Sequence, residues 1–367
     1  KISRVIYMTN IGTIPEEGFI EVVIQSPVDK KGQVVGKIDE TFLERMKKGD
    51  VFVLGGAKYQ FTFSRGMKAY VIADVSKNPT IPSWFSEMLP LSFEVALDIG
   101  RFRKLVKEKI KEKKRCVDFI KEYIYCAEEV AKNIYDYMKE QNDFSALPTE
   151  KELVVEKFKQ DKEYLLFHSM YGRRVNDALS RAYAYAAARL RMRDIEVGIN
   201  DNGFFIAGEQ LDEDRIINLV KAKDLDSILK EAIEKTDVLQ RRFRHCASRS
   251  LMILRSYKGR SKSVGRQQFH SHFLLSAVKR ISNEFPILRE ARREVLEDLM
   301  DIKNAKQVLS WIEDGKVKII KKRIPIVSPF GLTLIMQSHA DLIKMEDRAA
   351  FLKRMHELHL GIIKEKR

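Results

Sequence analysis

The 367-residue sequence predicts an α+β protein, with a small β-barrel-like domain over residues 1–90 and a larger, mainly helical domain with small sheets over 91–367. Three observations predict it. Short β-rich runs separated by glycine turns fill residues 4–75, and Pro79, Pro82 and Pro90 then forbid a regular helix. Beyond them, apolar residues recur mostly at helical spacing.

Taken in order, 4–10, 19–25 and 34–39 read as strands bounded by Gly, Pro or Asp, and a short helical turn falls near 42–46. Strands at 51–54, 59–64 and 67–75 come next, joined by the turns Gly55-Gly56 and Arg65-Gly66. Such a meander closes most simply as a small barrel. Residues 79–103 form a stiff elbow carrying Trp84, with Ser92 positioned to cap a helix and Arg101 and Arg103 after it. A packed joint between domains explains this elbow as well as a ring and two guanidiniums offered to a base and a phosphate.

From 102 to 141 the pattern is helical. Residues 104–115 hold seven Lys or Arg, read as a solvated face with Glu108 and Glu112 as local partners. Thr149-Glu-Lys-Glu152 resembles a capping box, but the residues after it alternate like strands, so 152–160 and 163–170 read as a hairpin. Gly172-Arg173-Arg174 opens an alanine-rich helix over 175–191. A second hairpin, 195–199 with 204–207, turns at Asn200-Asp201-Asn202-Gly203. Short helices across 212–236 come next, and 285–315 is helical. Residues 316–327 are strand-like, and a last helical region lies beyond Ser328.

The net charge is +15, and between Val238 and Asn283 there are eleven Lys or Arg and no Asp or Glu. A polyanion such as nucleic acid is the partner this favours, against a Lys- and Glu-rich surface of the thermophile kind. A helix over 240–255 would bury Phe243, Ala247, Leu251 and Leu254 and set Arg241, Arg242 and Arg244 on its flanks. The loop after it adds Lys258, Arg260, Lys262 and Arg266 among glycines and serines, a composition suited to phosphates. The predicted nucleic-acid contacts are therefore Trp84, Arg101, Arg103, Arg173, Arg174, Arg241, Arg242, Arg244, Lys258, Arg260, Lys262 and Arg266.

Other chemistry is not visible. No G-x-x-x-x-G-K-[ST] phosphate loop is present. The pairs His270-x-His272 and His356-x-x-His359 lack H-E-x-x-H spacing, so no metal site is expected. His245 and Cys246 fall on different helix faces, and Asp201 reads as a turn residue. Cys116, Cys126 and Cys246 form no C-x-x-C pair, which fits a reduced, cytoplasmic setting. No apolar run approaches the ~20 residues that cross a bilayer. The start at Lys1 suggests a piece of a longer protein.

Ile11-Gly-Thr-Ile-Pro15, Gly49-Asp-Val-Phe-Val-Leu-Gly-Gly56 and Ile81-Pro-Ser-Trp-Phe-Ser-Glu87 resemble the region that comes after the motor in archaeal large helicase-related (Lhr) proteins. Arg241 to Ser250, Ser263 to Gln268 and Met345 to Ala350 are similar to the DEAD/H-associated domain of that family. The resemblance covers nearly the whole chain. It implies an ATP-dependent superfamily 2 helicase of DNA or RNA, single-stranded or forked, with two RecA-like domains and a winged helix preceding this region. ATP and Mg are expected only in that motor, which would be a partner of this region, and no cofactor is expected here. The role that carries over is strand guiding, with Trp84 stacking on a base. Glycosylase or nuclease activity in DNA repair and a protein-docking role stand as alternatives. The C-terminal part of the family is similar in fold to winged-helix DNA glycosylases, which makes a winged-helix-like larger domain one option, although Gln267-Gln268 lacks the Gln-x-Gln spacing sought for a glycosylase.

Overall fold

A computed structural model describes the chain except residues 1, 13–18, 26–31, 40–41, 44–45, 47, 56, 66–67, 74–88, 161, 192–194, 255, 258–259, 262–263, 339–344 and 366–367. Two compact units emerge, and neither is continuous in sequence. Lys1–Met88, Ile233–Val295 and Ala340–Lys344 form one; Leu89–Ala232, Leu296–His339 and Met345–Arg367 form the other. The α+β class holds.

In the first unit, β1 (Phe19–Ile24), β2 (Gln33–Asp39), β3 (Val51–Leu54), β4 (Ala57–Arg65) and β5 (Lys68–Ala73) make one sheet in the order β2-β1-β5-β4-β3. Alternation buries Ile20, Val22, Phe52, Phe61 and Val71 on a single face. The expected barrel does not close. Strands β2 and β3 are opposite edges, and β1 lies parallel to β5. An open sheet covered on one face and a closed barrel share the same alternation, so the pattern could not separate them.

The predicted first strand is also overturned, because Ile2–Asn10 is a helix, α1. Its polar end fits that state: Thr9 Oγ1 donates to the Val5 carbonyl at 2.7 Å and Asn10 Nδ2 to that of Ile6 at 2.7 Å. β-branched residues made the run look extended.

The same unit holds α8 (Asp237–Arg249), the two-residue strands β10 (Ser256–Tyr257) and β11 (Arg260–Ser261), α9 (Val264–Ile281) and α10 (Pro286–Arg293). Thr236 caps α8 by accepting from the Leu239 amide at 3.4 Å. The helix stops short of the predicted residue 255 because Leu251 turns to φ +60°. Asn10 pairs with both backbone groups of Ser256, at 2.9 and 2.8 Å, as a strand would.

In the second unit, Ser92 caps α2 (Phe93–Lys109) as expected, accepting from the Val95 amide at 3.3 Å. The helical pattern over 102–141 is not one helix. It divides into α2, α3 (Lys113–Ile124) and α4 (Glu128–Phe144), and α3 ends where Tyr125 adopts φ +52°. The second sheet runs β12-β6-β7-β9-β8, from β6 (Glu152–Lys159), β7 (Glu163–His168), β8 (Glu196–Asn200), β9 (Gly203–Gly208) and β12 (Lys318–Arg323). Both predicted hairpins are present, and β12 returns parallel to β6.

Around this sheet lie α5 (Arg173–Arg191), α6 (Glu213–Asn218), α7 (Leu225–Ile233), α11 (Ile302–Glu313), α12 (Pro329–Ser338) and α13 (Met345–Glu365). A π-helical turn, Glu294–Leu299, precedes α11. Phe144, Phe158, Leu166, Phe205 and Leu334 fill one core of the unit.

Candidate nucleic-acid interface

Of the four predicted cations of the second unit, the fold ties the side chains of Arg103 and Arg174 inward. Arg101 is exposed and bridges Asp98 at 2.7 Å and Glu150 at 3.2 Å. Arg103 is an internal strut. Its guanidinium lies 4.7 Å from the centre of the Phe330 ring, and Nη1 donates to Met170 Sδ at 2.7 Å. Its Nε is buried without a partner, and burial lowers the guanidinium pKa to about 10.

Arg174 Nη2 donates to the carbonyls of Glu297 and Met300, at 2.5 and 3.3 Å, where the π-helical turn ends. Arg173 is half-buried, and its amide is held at 3.0 Å by Asp201 Oδ1. That same oxygen accepts from the Leu91 amide at 3.0 Å. Asp201 is thus a clasp joining the β8–β9 turn, the start of α5 and the entry to α2. Nearby, Gly172 sits at φ +82° with the Leu91 carbonyl pressed too close for a Cβ to fit.

Deeper in this unit, Glu156 and His168 are buried 2.8 Å apart, and Gln141 Nε2 donates to Glu156 at 3.2 Å. Burial opposes the charge on Glu156, yet His168, Ser145 and Ser328 hold its pKa below the usual carboxylate value. On α13, His356 and His359 meet Glu140 at 3.0 and 3.3 Å, and His359 Nε2 contacts the Val327 carbonyl at 2.8 Å. These histidines tie the last helix to α4. No cluster of three or more His, Cys, Asp or Glu able to hold a metal occurs among the described residues.

In the first unit, α8 arranges the arginine run around a buried carboxylate. Glu294 is 4% exposed and pairs with Arg242, at 3.8 Å, and with Arg249. Cys246 Sγ lies 3.5 Å from the same carboxylate, and burial together with Glu294 raises its pKa to about 11. Arg244 is buried and Arg241 half-buried. His245, with Nδ1 buried and unpartnered, has its pKa pushed down to about 4, first by burial and then by Arg244, Arg242, Arg241 and Arg249.

Glu234 similarly takes Lys279 at 2.8 Å and Arg292 at 2.5 Å. Carboxylates just outside the acid-free window thus pair with Arg242, Arg249 and Lys279 within it. Trp84, Lys258 and Lys262 lie outside the described residues, and Arg260 and Arg266 are placed only by backbone, on β11 and α9.

Beyond that hairpin, α9 presents an uncovered row that sequence reasoning overlooked. Phe269 and Phe273 are 63% and 60% exposed, with ring centres 4.7 Å apart at 63°. Arg280 is exposed on the same helix, as are His270 and His272. The i, i+4 spacing of the two rings was the available signal.

The chain thus combines a mixed α+β fold with one long basic, acid-free segment. The DEAD/H associated family matches residues 147–331, and the winged helix domain of the large helicase-related protein matches residues 2–81. The chain belongs to the DEAD/H associated family, and its match over residues 2–81 and its relatives link it to the large helicase-related (Lhr) proteins.

The winged-helix match overturns the expectation that this domain lies wholly outside the sequence. By local pattern alone, its helix and sheet look like strands of a barrel. The chain is similar to the ATP-dependent helicase Lhr-Core of Methanothermobacter thermautotrophicus, at 45% identity over 99% of the chain and 42% of that protein. The corresponding protein 2 of Thermococcus barophilus is 42% identical over 100% of the chain and 42% of its own length. The chain thus spans less than half the length of these relatives. A more distant relative, the Escherichia coli Lhr helicase/uracil glycosylase, is 24% identical over 98% of the chain and 23% of that protein. Among solved structures, Mycobacterium smegmatis helicase Lhr bound to ssDNA and AMP-PNP shares the fold, with a TM-score of 0.58 and 23% identity over 71% of the chain and 33% of its own.

Proposed function

We propose that this chain is the strand-guiding region of an ATP-dependent helicase, binding single-stranded or forked DNA or RNA for the RecA-like motor. The observation that carries the reading is the stretch from 238 to 283, basic and free of acid, in a chain of the DEAD/H associated family. The single strand bound to the Mycobacterium smegmatis relative supports it. In this reading ATP and Mg belong to the motor. No phosphate loop occurs in the sequence and, among the described residues, no carboxylate or imidazole cluster could hold a cation. The proposed contacts in the first unit are Trp84 as a stacking ring and Arg241, Lys258, Arg260, Lys262 and Arg266 as phosphate contacts; in the second unit they are Arg101 and Arg173. Arg103, Arg174 and Arg244 serve as struts, and Arg242 is held by Glu294.

A uracil-glycosylase reading rests on the name of a relative that this chain covers only in part. Uracil release from a U-containing oligonucleotide without ATP would support it; intact substrate would remove it.

The test is fluorescence-anisotropy binding to single-stranded and duplex DNA and RNA across salt concentrations. Multi-cation binding makes log K fall with log salt by ~0.7 per single-strand phosphate contact. Trp84→Ala is expected to weaken binding by ~1–3 kcal/mol at an unchanged slope. No binding at low salt would sink the proposal and favour a protein-docking role.

A further inference from the structure

We propose that the outward line of α9, carrying Phe269, Phe273 and Arg280, is a stacking platform for unpaired bases of a single strand. This inference rests on the strand-guiding reading and gives it a surface of its own. In an α-helix, positions 269, 273 and 280 fall within about 40° of one line, at ~100° per residue. Two phenyl rings therefore stand side by side in solvent, and a guanidinium follows seven residues, roughly 10 Å, along the axis. The rings meet edge to face, which leaves π surface open on both.

A helix buries its apolar stripe, and α9 does so with Leu275 and Val278 on another side. Neither ring belongs to that stripe. Single exposed apolar residues are ordinary, whereas an adjacent pair on one line is a contact surface.

Charge selects the occupant. The helix contains no Asp or Glu, and the nearest carboxylate in sequence before it is Asp237. Lys279 is taken by Glu234, but Arg280 is exposed two turns beyond Phe273, and Arg266 lies one turn before Phe269. Two rings followed by an exposed guanidinium, on a helix that carries no acid of its own, match the bases and backbone of a single strand. A duplex keeps its bases stacked within itself and offers these rings no face. An acidic peptide would satisfy the cations alone.

The experiment uses the full chain with labelled oligo-dT, the same sequence as duplex, and heparin as a polyanion without bases. Phe269→Ala/Phe273→Ala is expected to weaken oligo-dT binding at least fivefold, leaving the salt slope and heparin binding unchanged. Phe269→Trp/Phe273→Trp, which keeps the ring faces, is expected to retain wild-type affinity and so separates lost stacking from lost folding. Arg280→Ala should flatten the single-strand slope by ~0.7. If the wild type binds oligo-dT and the double alanine variant binds equally well, the platform is overturned while the strand-guiding reading stands. If the tryptophan variant weakens binding as much as alanine does, the platform is likewise overturned. If the wild type ignores oligo-dT altogether, the reading beneath it fails.

Discussion

Residues 101–115 and 238–283 both read as basic stretches, and the fold treats them differently. In the first, the cations find carboxylates close at hand. Arg101 meets Asp98 and Glu150, Lys107 meets Glu152, Lys113 meets Asp136 and Arg115 meets Glu112. Most of these pairs are exposed, and such pairs contribute ~0–1 kcal/mol each. The second stretch has no acid of its own, and Glu234 and Glu294 reach in from its two flanks. Glu294 is buried, so its pairing with Arg242 and Arg249 is structural. Local charge density therefore does not tell which cations remain available to a phosphate. That depends on which carboxylate the fold brings within 4 Å.

The largest way to break this contrast is Glu294→Gln. Removing one partner of a buried ion pair leaves the arginines uncompensated, and the expected loss is about 3 kcal/mol in urea denaturation. Single-strand binding should then grow steeper in salt, by ~0.7 to 1.4, as Arg242 and Arg249 are released. A slope unchanged in a folded variant would mean that these arginines never meet a strand.

A middle-sized effect sits on His245. Its folded pKa of about 4 lies below the unfolded value of 6.5, so the unfolded chain binds the proton more readily between them. Stability is thus full above pH 6.5 and declines as pH falls toward 4, by about 2 kcal/mol once partial exposure is allowed for. Urea midpoints across that window should show the slope, and His245→Gln should flatten it. A bound polyanion beside the arginines should raise the imidazole pKa, read by NMR titration with and without oligo-dT.

The smallest expected effect is Arg101→Ala, under about 1 kcal/mol in thermal unfolding, since its pairs are exposed. A salt slope lower by ~0.7 would make Arg101 a strand contact as well; no change would leave it as a surface pair.

Much of the fold could be read from local pattern. Both hairpins of the second sheet, the cap Ser92 and the helix opened by Arg173 reflect turn residues, alternation and capping chemistry. The misses have physical causes too. Residues 2–10 are rich in β-branched side chains, yet they form a helix whose polar end bonds one turn back and docks on Ser256. Tyr125 accepts a left-handed conformation that splits an apolar stripe into separate helices, and no glycine marked the place. Asp201 has the sequence context of a turn residue, but its second task, holding the Leu91 and Arg173 amides, depends on partners 110 and 28 residues away.

The α+β class, the hairpins signalled by turns, the excess of positive charge and the resemblance to the Lhr family were all legible in the amino-acid order. These properties depend on residues near one another along the chain, or on composition alone. It took the folded chain to show that the first sheet stays open, that Arg103, Arg174 and Arg244 turn inward, and that Phe269 and Phe273 stay outside. Each of those outcomes turns on which distant group arrives to pair, cover or desolvate a side chain, and sequence spacing does not encode that distance.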